Sequence, residues 1–164
     1  MDIKDFLKNL RKNDLKIKGK WNLKEIDNDG NTVKEINKEN VIVKNGKEKI
    51  AKLIANQNLE EGDIEYILIG SDGTEEEEED TALEEFEEAS SSITPEVIDD
   101  NDDGEERTVK WQYTFKNGSG KSSIEEAAVS NTNENDDNII NRVTFSSIDN
   151  ENHDFQATLK ITVS

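Results

Sequence analysis

"TVKWQYTFKNGSGKSS", residues 108–123, decides the fold. Two readings compete for its second half. Gly120-Lys121-Ser122 matches the end of a phosphate-binding loop, which requires G-x-x-x-x-G-K-[ST] after a buried strand. Five positions before Gly120 stands Phe115, not glycine. A bulky residue there cannot take the open backbone geometry that turns the first amides of an anion nest inward. The first half of the stretch points elsewhere. Val109, Trp111, Tyr113 and Phe115 alternate with polar residues, which is the period of a strand with one buried face. "NGSG" then supplies turn chemistry, so the stretch reads as a strand running into a hairpin loop.

The same period extends outward in both directions. Leu15, Ile17, Gly19, Trp21 and Leu23 alternate, the turn "DNDGN" follows at 27–31, and "TVKEI" and "NVIVK" continue as a β-meander. "NGKEKIAKLIANQ" breaks the pattern and places Ile50, Leu53 and Ile54 on one helical face. "IEYILIG" reads as a strand buried on both faces. "ITPEVI", "SIEEAAVS", "NRVTFSSI" and "DFQATLKITVS" supply further strands, the last with Phe155, Ala157, Leu159, Ile161 and Val163 on one side. The expected fold class is mainly β: an antiparallel β-sandwich of roughly eight strands with one short inserted helix. "MDIKDFLKNLRKND" adds an N-terminal amphipathic helix, with Ile3, Phe6, Leu7 and Leu10 at helical spacing and Lys4, Lys8, Arg11 and Lys12 around them. The organisation predicted is therefore a basic arm over 1–14 and a single sandwich domain over 15–164.

Charge narrows the function. The chain has 164 residues and no cysteine, so disulfides and thiolate metal sites are excluded. Its formal net charge is −19. Residues 1–52 carry 14 Lys+Arg against 9 Asp+Glu, and residues 53–164 carry 6 against 30, a split of +5 and −24. A body this acidic repels phosphate backbones, so nucleic acid is not an expected partner. Such a surface is compatible with strong salt, which screens self-repulsion. No apolar run is long enough to span a bilayer and no signal-peptide core is present, so no membrane association is expected. The stretch 71–92, which contains five consecutive glutamates at 75–79, is expected to project into water, with Leu83 and Phe86 pinning its end to the core.

Few residues suggest chemistry. In "DDNDDGEE", Asp99, Asn101, Asp103 and Gly104 satisfy the first half of a calcium-loop pattern, in which alternate oxygens converge on the ion. The bidentate glutamate due at the twelfth position is Lys110, and the flanks are strands, so an EF-hand is excluded and a weak calcium loop is the most this turn can offer. His153 is the single histidine, and "NENHDF" around it reads as a hairpin turn feeding the last strand. Asn117-Gly118-Ser119 fits the N-glycosylation acceptor pattern. No nucleophile, base or paired carboxylate stands out, and the chain is expected not to be an enzyme.

A set of ordered landmarks runs through residues 16–164. "GKW" leads to the turn Asp27–Gly30, then to "NVIVKNGKEKIAKLI". "IEYILIGSDGT", "DTALEEF", "SIEEAAVSN" and "NRVTFSSIDNENHDFQATLKITVS" follow. In this order they resemble a family of small structural proteins of tailed bacteriophages and tailed archaeal viruses. Asp72 stands where members often have glycine, and Ala128 where glycine is usual after Glu-Ala. The resemblance implies a virion component, assembled in the host cytoplasm, whose partners are capsid or tail proteins of the same virus and copies of itself as a homo-oligomer. Among virion roles, the compact chain without fibrous repeats suits a capsid-surface decoration or turret subunit. A tail baseplate or fibre-attachment protein would look similar. A calcium-dependent adhesion or carbohydrate-binding module is the alternative from another class, resting on Asp99, Asn101 and Asp103. The basic segment, with Phe6, Leu7 and Leu10 as anchors and Lys4, Lys8 and Arg11 as its charges, is expected either to dock on a neighbouring subunit or to cover its own domain.

Overall fold

The alternating stretches form nine strands and one helix in a computed structural model that describes residues 16–55, 62–98, 107–118 and 123–163. In chain order these are β1 (Ile17–Ile26), β2 (Thr32–Ile42), α1 (Lys44–Ile54), β3 (Tyr66–Gly70), β4 (Phe86–Ala89), β5 (Glu96–Ile98), β6 (Arg107–Phe115), β7 (Ile124–Ser130), β8 (Ile139–Ile148) and β9 (Asp154–Val163). The fold is mainly β and antiparallel, as the period predicts. "TVKEI" and the first three residues of "NVIVK" lie in the single strand β2, Val43 and Lys44 opening α1, while β4 arises inside the acidic stretch. The N-terminal helix expected over 1–14 lies outside the described residues.

The strands make one nine-stranded sheet in the order β4-β3-β7-β8-β2-β1-β9-β6-β5. It curls at β2, which pairs with β1 over most of its length and with β8 only through Val41 and Ile42. The two halves then face each other across a common core. Trp21 and Leu23 of β1, Trp111 and Phe115 of β6, and Phe155, Ala157, Leu159 and Ile161 of β9 enter from one half. Ile67 and Ile69 of β3, Ala127 and Val129 of β7, and Val143 and Phe145 of β8 enter from the other. Each large apolar side chain fully removed from water contributes about 1.5–3 kcal/mol. Phe155 stacks between Phe115 and Phe145, with 6.0 Å between centroids on each side.

Two turns differ from their expected roles. Residues 116–123 do not close a hairpin: β6 pairs with β9 and β5, and β7 pairs with β3 and β8. The turn at Asn117 and Gly118 (φ 81°) forms, but it carries the chain from one half to the other. Residues 149–153 do the same between β8 and β9. The Asn117 amide donates to Asp154 Oδ1 at 2.9 Å, which ties the two crossovers together. Residues 119–122, with the Gly-Lys-Ser of the rejected phosphate reading, lie outside the described residues.

The helix α1 also departs from its periodicity. Leu53 is 46 % exposed, whereas Lys49 is buried, its Nζ donating to Asn131 Oδ1 at 2.5 Å and to Asn138 Oδ1 at 3.2 Å. Close approach explains the change of face. Gly46 rests on the β8 backbone, and a Cβ there would collide with the Ile140 carbonyl. Gly46→Val should therefore push α1 off β8 and cost about 1–3 kcal/mol through overpacking. Thermal unfolding of the variant checks this, and an unchanged midpoint would contradict the close contact.

Candidate interaction surfaces

Arg142 sits in the middle of β8 in a run of buried residues, and its side chain is wholly buried on the outer face of the β3-β7-β8 half. Its Nε donates to Glu126 Oε2 at 2.9 Å, Nη1 to Asp80 Oδ2 at 3.0 Å and Nη2 to the Thr74 carbonyl at 3.0 Å. Burial works against the charge, but the hydrogen bonds and charges of Asp80 and Glu126 outweigh it and hold the guanidinium above its ordinary pKa. Glu126, also fully buried, accepts the backbone N–H groups of Glu84 and Glu85 at 3.1 and 2.8 Å. Gly70 makes room for that carboxylate, since a Cβ there would strike Glu126 Oε1 and the Glu85 carbonyl.

This clamp overturns the expectation for residues 71–92. The acidic stretch does not project freely into water; it lies over the outer face of the sheet. Leu83 is buried in a second apolar cluster with Val43, Leu68, Ala128 and Ile139, while Phe86 is 36 % exposed and does not anchor it. Glu76 turns inward, accepts from the Thr144 hydroxyl at 2.5 Å and pairs with Lys38 at 3.3 Å. Burial opposes ionisation of Glu76, yet the bonds from Thr144 and Lys38 hold its carboxyl below the usual range. Glu78 pairs with Lys47 of α1 at 2.9 Å. Glu75, Glu77, Glu78 and Glu79 remain exposed on a segment whose backbone is fixed. Asp72, where the resembled family often has glycine, accepts the Thr74 N–H at 2.7 Å and closes the turn through its side chain. The signal that could have revealed the clamp is compositional: Arg142 is one of three arginines and stands between Asn141 and Val143 in a strand pattern with no solvent face.

The outer face of the other half is basic and polar. Cross-strand register aligns Glu39, Lys20, Lys160, Lys110 and Glu96 in one row across β2, β1, β9, β6 and β5. Lys110 pairs with Glu96 at 2.6 Å, whereas Lys160 has a lysine directly opposite on either side. Like charges facing each other across a ladder destabilise it. Asn22, Asn37, Gln112, Gln156 and Thr158 complete a shallow groove of about 430 Å³ around this row. Such a surface offers cationic and amide donors to an acidic or hydroxyl-bearing partner, on a molecule whose other face is an acidic ridge.

The remaining candidates are scattered. Asp99, Asn101 and Asp103 lie outside the described residues, in the connection of the β5–β6 hairpin. Phe6, Leu7, Leu10, Lys4, Lys8 and Arg11 also lie outside them. Asn117 is exposed, with its side-chain nitrogen donating to Asn28 Oδ1 at 2.9 Å. His153 is part-buried, and its Nδ1 lies 2.6 Å from Glu25 Oε1, a contact that ties the β8–β9 crossover to the end of β1. Comparison with models of known protein families, with curated proteins and with solved structures finds no match.

Two outcomes test these surfaces. Arg142→Ala leaves Glu126 buried without its cation and should cost about 3–5 kcal/mol, with Arg142→Met combined with Glu126→Gln recovering part of the loss; chemical denaturation reads both. Lys160→Thr should stabilise the fold by about 0.2–1 kcal/mol in dilute buffer by relieving the lysine row. The gain should shrink in molar salt, and a loss of stability would show that the row is not repulsive.

Proposed function

We propose that this chain is a non-enzymatic structural subunit of a tailed virus particle, seated on the capsid surface as a decoration or turret subunit. The observation that carries the reading is where the residues of the resemblance meet. Gly70, Thr74, Asp80, Glu126 and Arg142 come from four of its separate landmarks and gather around one guanidinium. A motif set with a common structural purpose is a better basis for kinship than the same residues dispersed would be. In this reading the basic face of β1, β9 and β6 lies against an acidic surface of a capsid protein or of another copy of the chain. The ridge over β3, β7 and β8 faces the medium, where its exposed glutamates keep particles apart by mutual repulsion.

Immunogold electron microscopy of purified particles, with antibody against this chain, tests the assignment. Label distributed over the heads is the expected result. Label restricted to the tail would move the subunit to a baseplate or fibre-attachment role, and particles lacking the chain by mass spectrometry would overturn the virion reading. In particles that do carry it, reversing Lys20, Lys110 and Lys160 to glutamate should strip the subunit from the surface without unfolding it, as read by circular dichroism of the free variant.

A further inference from the structure

Asn-Gly occurs twice in the chain, at 45–46 and at 117–118. An asparagine followed by glycine carries a latent reaction of its own. The backbone nitrogen of the glycine can attack the side-chain amide carbon of the asparagine, because no Cβ on the following residue hinders the approach. The reaction needs that nitrogen free of other bonds and the backbone between the two residues free to turn.

The fold separates the two sites. Asn45 and Gly46 lie in the first turn of α1, with Gly46 buried against β8. Closing a ring there would take the backbone out of helical geometry and drive Gly46 into the Ile140 carbonyl, which already leaves no room for a Cβ. Asn117 and Gly118 are exposed in the crossover after β6, where Gly118 has φ 81°. The Gly118 N–H makes no hydrogen bond among the described residues, so the attacking nitrogen is unoccupied. The Asn117 side chain meanwhile holds this end of the sandwich together. Its Nδ2 donates to Asn28 Oδ1 at 2.9 Å and to the Asn152 carbonyl at 3.2 Å, joining the β1–β2 turn and the β8–β9 crossover to the β6–β7 crossover. Asp27 and Asp154 line the same recess. Lys116 and the Asn117 N–H hold the Asp154 carboxyl below its usual range, so it stands ionised beside the site.

We propose that Asn117 is a modification site at which the folded chain converts asparagine to aspartate and isoaspartate, untying the two crossovers. The Gly118 nitrogen gives up its proton and bonds to Asn117 Cγ, the Cγ–Nδ2 bond breaks, and Nδ2 leaves with that proton as ammonia. Water then opens the cyclic imide at either carbonyl. Opening at the backbone carbonyl sends the main chain through the former side chain, with one extra methylene, and leaves isoaspartate; opening at the other leaves aspartate. In both products the amide donor is gone and a carboxylate, which only accepts, has been added. The Asn28 and Asn152 oxygens lose their partner, and a new negative charge stands near Asp154. Loss of ammonia makes the change one-way. The inference is independent of the virion reading and holds for the free protein.

The test is to age the full-length protein in mildly alkaline heavy-oxygen water, digest it in ordinary water and map the new acids by mass spectrometry. Isoaspartyl methyltransferase reads the branched product. Heavy oxygen at position 117 with none at position 45 is the expected pattern for the folded chain, whereas in denaturant both sites should label at similar rates. Labelling of Asn117 only in denaturant would overturn the proposal, as would equal labelling of Asn45 and Asn117 in the folded protein. The consequence has its own measurement. Asn117→Asp supplies one product directly and should lower the thermal midpoint, and the aged protein should show the same fall. A midpoint unchanged in both would show that the crossovers do not depend on the Asn117 amide and would overturn the untying.

Discussion

The buried guanidinium of Arg142 is the constraint on which one whole side of the molecule depends. A charged group in a strand with no solvent face is tolerated only if every donor is satisfied, because desolvation penalises an unpaired ion by several kcal/mol. Satisfying it requires a carboxylate from the adjacent β7, a carboxylate from 62 residues away and a carbonyl from 68 residues away. The requirement thus drags residues 74–80 onto the sheet. Once there, Leu83 enters its own apolar cluster, Glu126 captures the next two backbone amides, and β4 can add to β3. A segment whose composition favours solvation is held against the sheet by a buried cation at its centre, with Lys38 and Lys47 pairing Glu76 and Glu78 beside it.

The opposite half is organised by a different compromise. Its inner face is as apolar as any sandwich core, with Trp21, Leu159 and Trp111 aligned in one cross-strand row. Its outer face tolerates three lysines in the adjacent row although their charges oppose one another. A partner of opposite charge would remove the conflict. The two outer faces therefore differ in sign and in the reason for their order, one fixed by an internal ion pair and the other open to an external one.

The period-two alternation of Trp21 and Leu23, of Val109 to Phe115 and of Phe155 to Val163 made the β class and the buried face of three strands legible before any coordinates. Which strands pair was less accessible. Asn-Gly at 117–118 and the polar run at 149–153 state that the chain turns, which is local information, but the partner of each following strand is set by edges that the rest of the sheet leaves open. The helix misled for a related reason. Gly46 brings the backbone of α1 onto β8, so the side that packs is chosen by the smallest residue and not by Leu53. Solvation is the local expectation for the run of glutamates because Arg142, the residue that orders it, is distant in sequence and lies in a strand with nothing nearby to mark it. Among the surfaces, the lysine row needed the register itself: Lys20, Lys110 and Lys160 are unrelated until three strands are aligned.

The place of β9 has a consequence for how the chain reaches this state. It lies between β1 and β6 and pairs with both along nearly their full length. β1 and β6 both precede β9 in the chain, yet neither can complete its ladder until β9 has emerged from the ribosome. Until then both present unpaired edges, the kind of surface that recruits other chains. Assembly of this half therefore waits for β9, and the strong negative charge of the waiting chain opposes sticking to its neighbours in the interval.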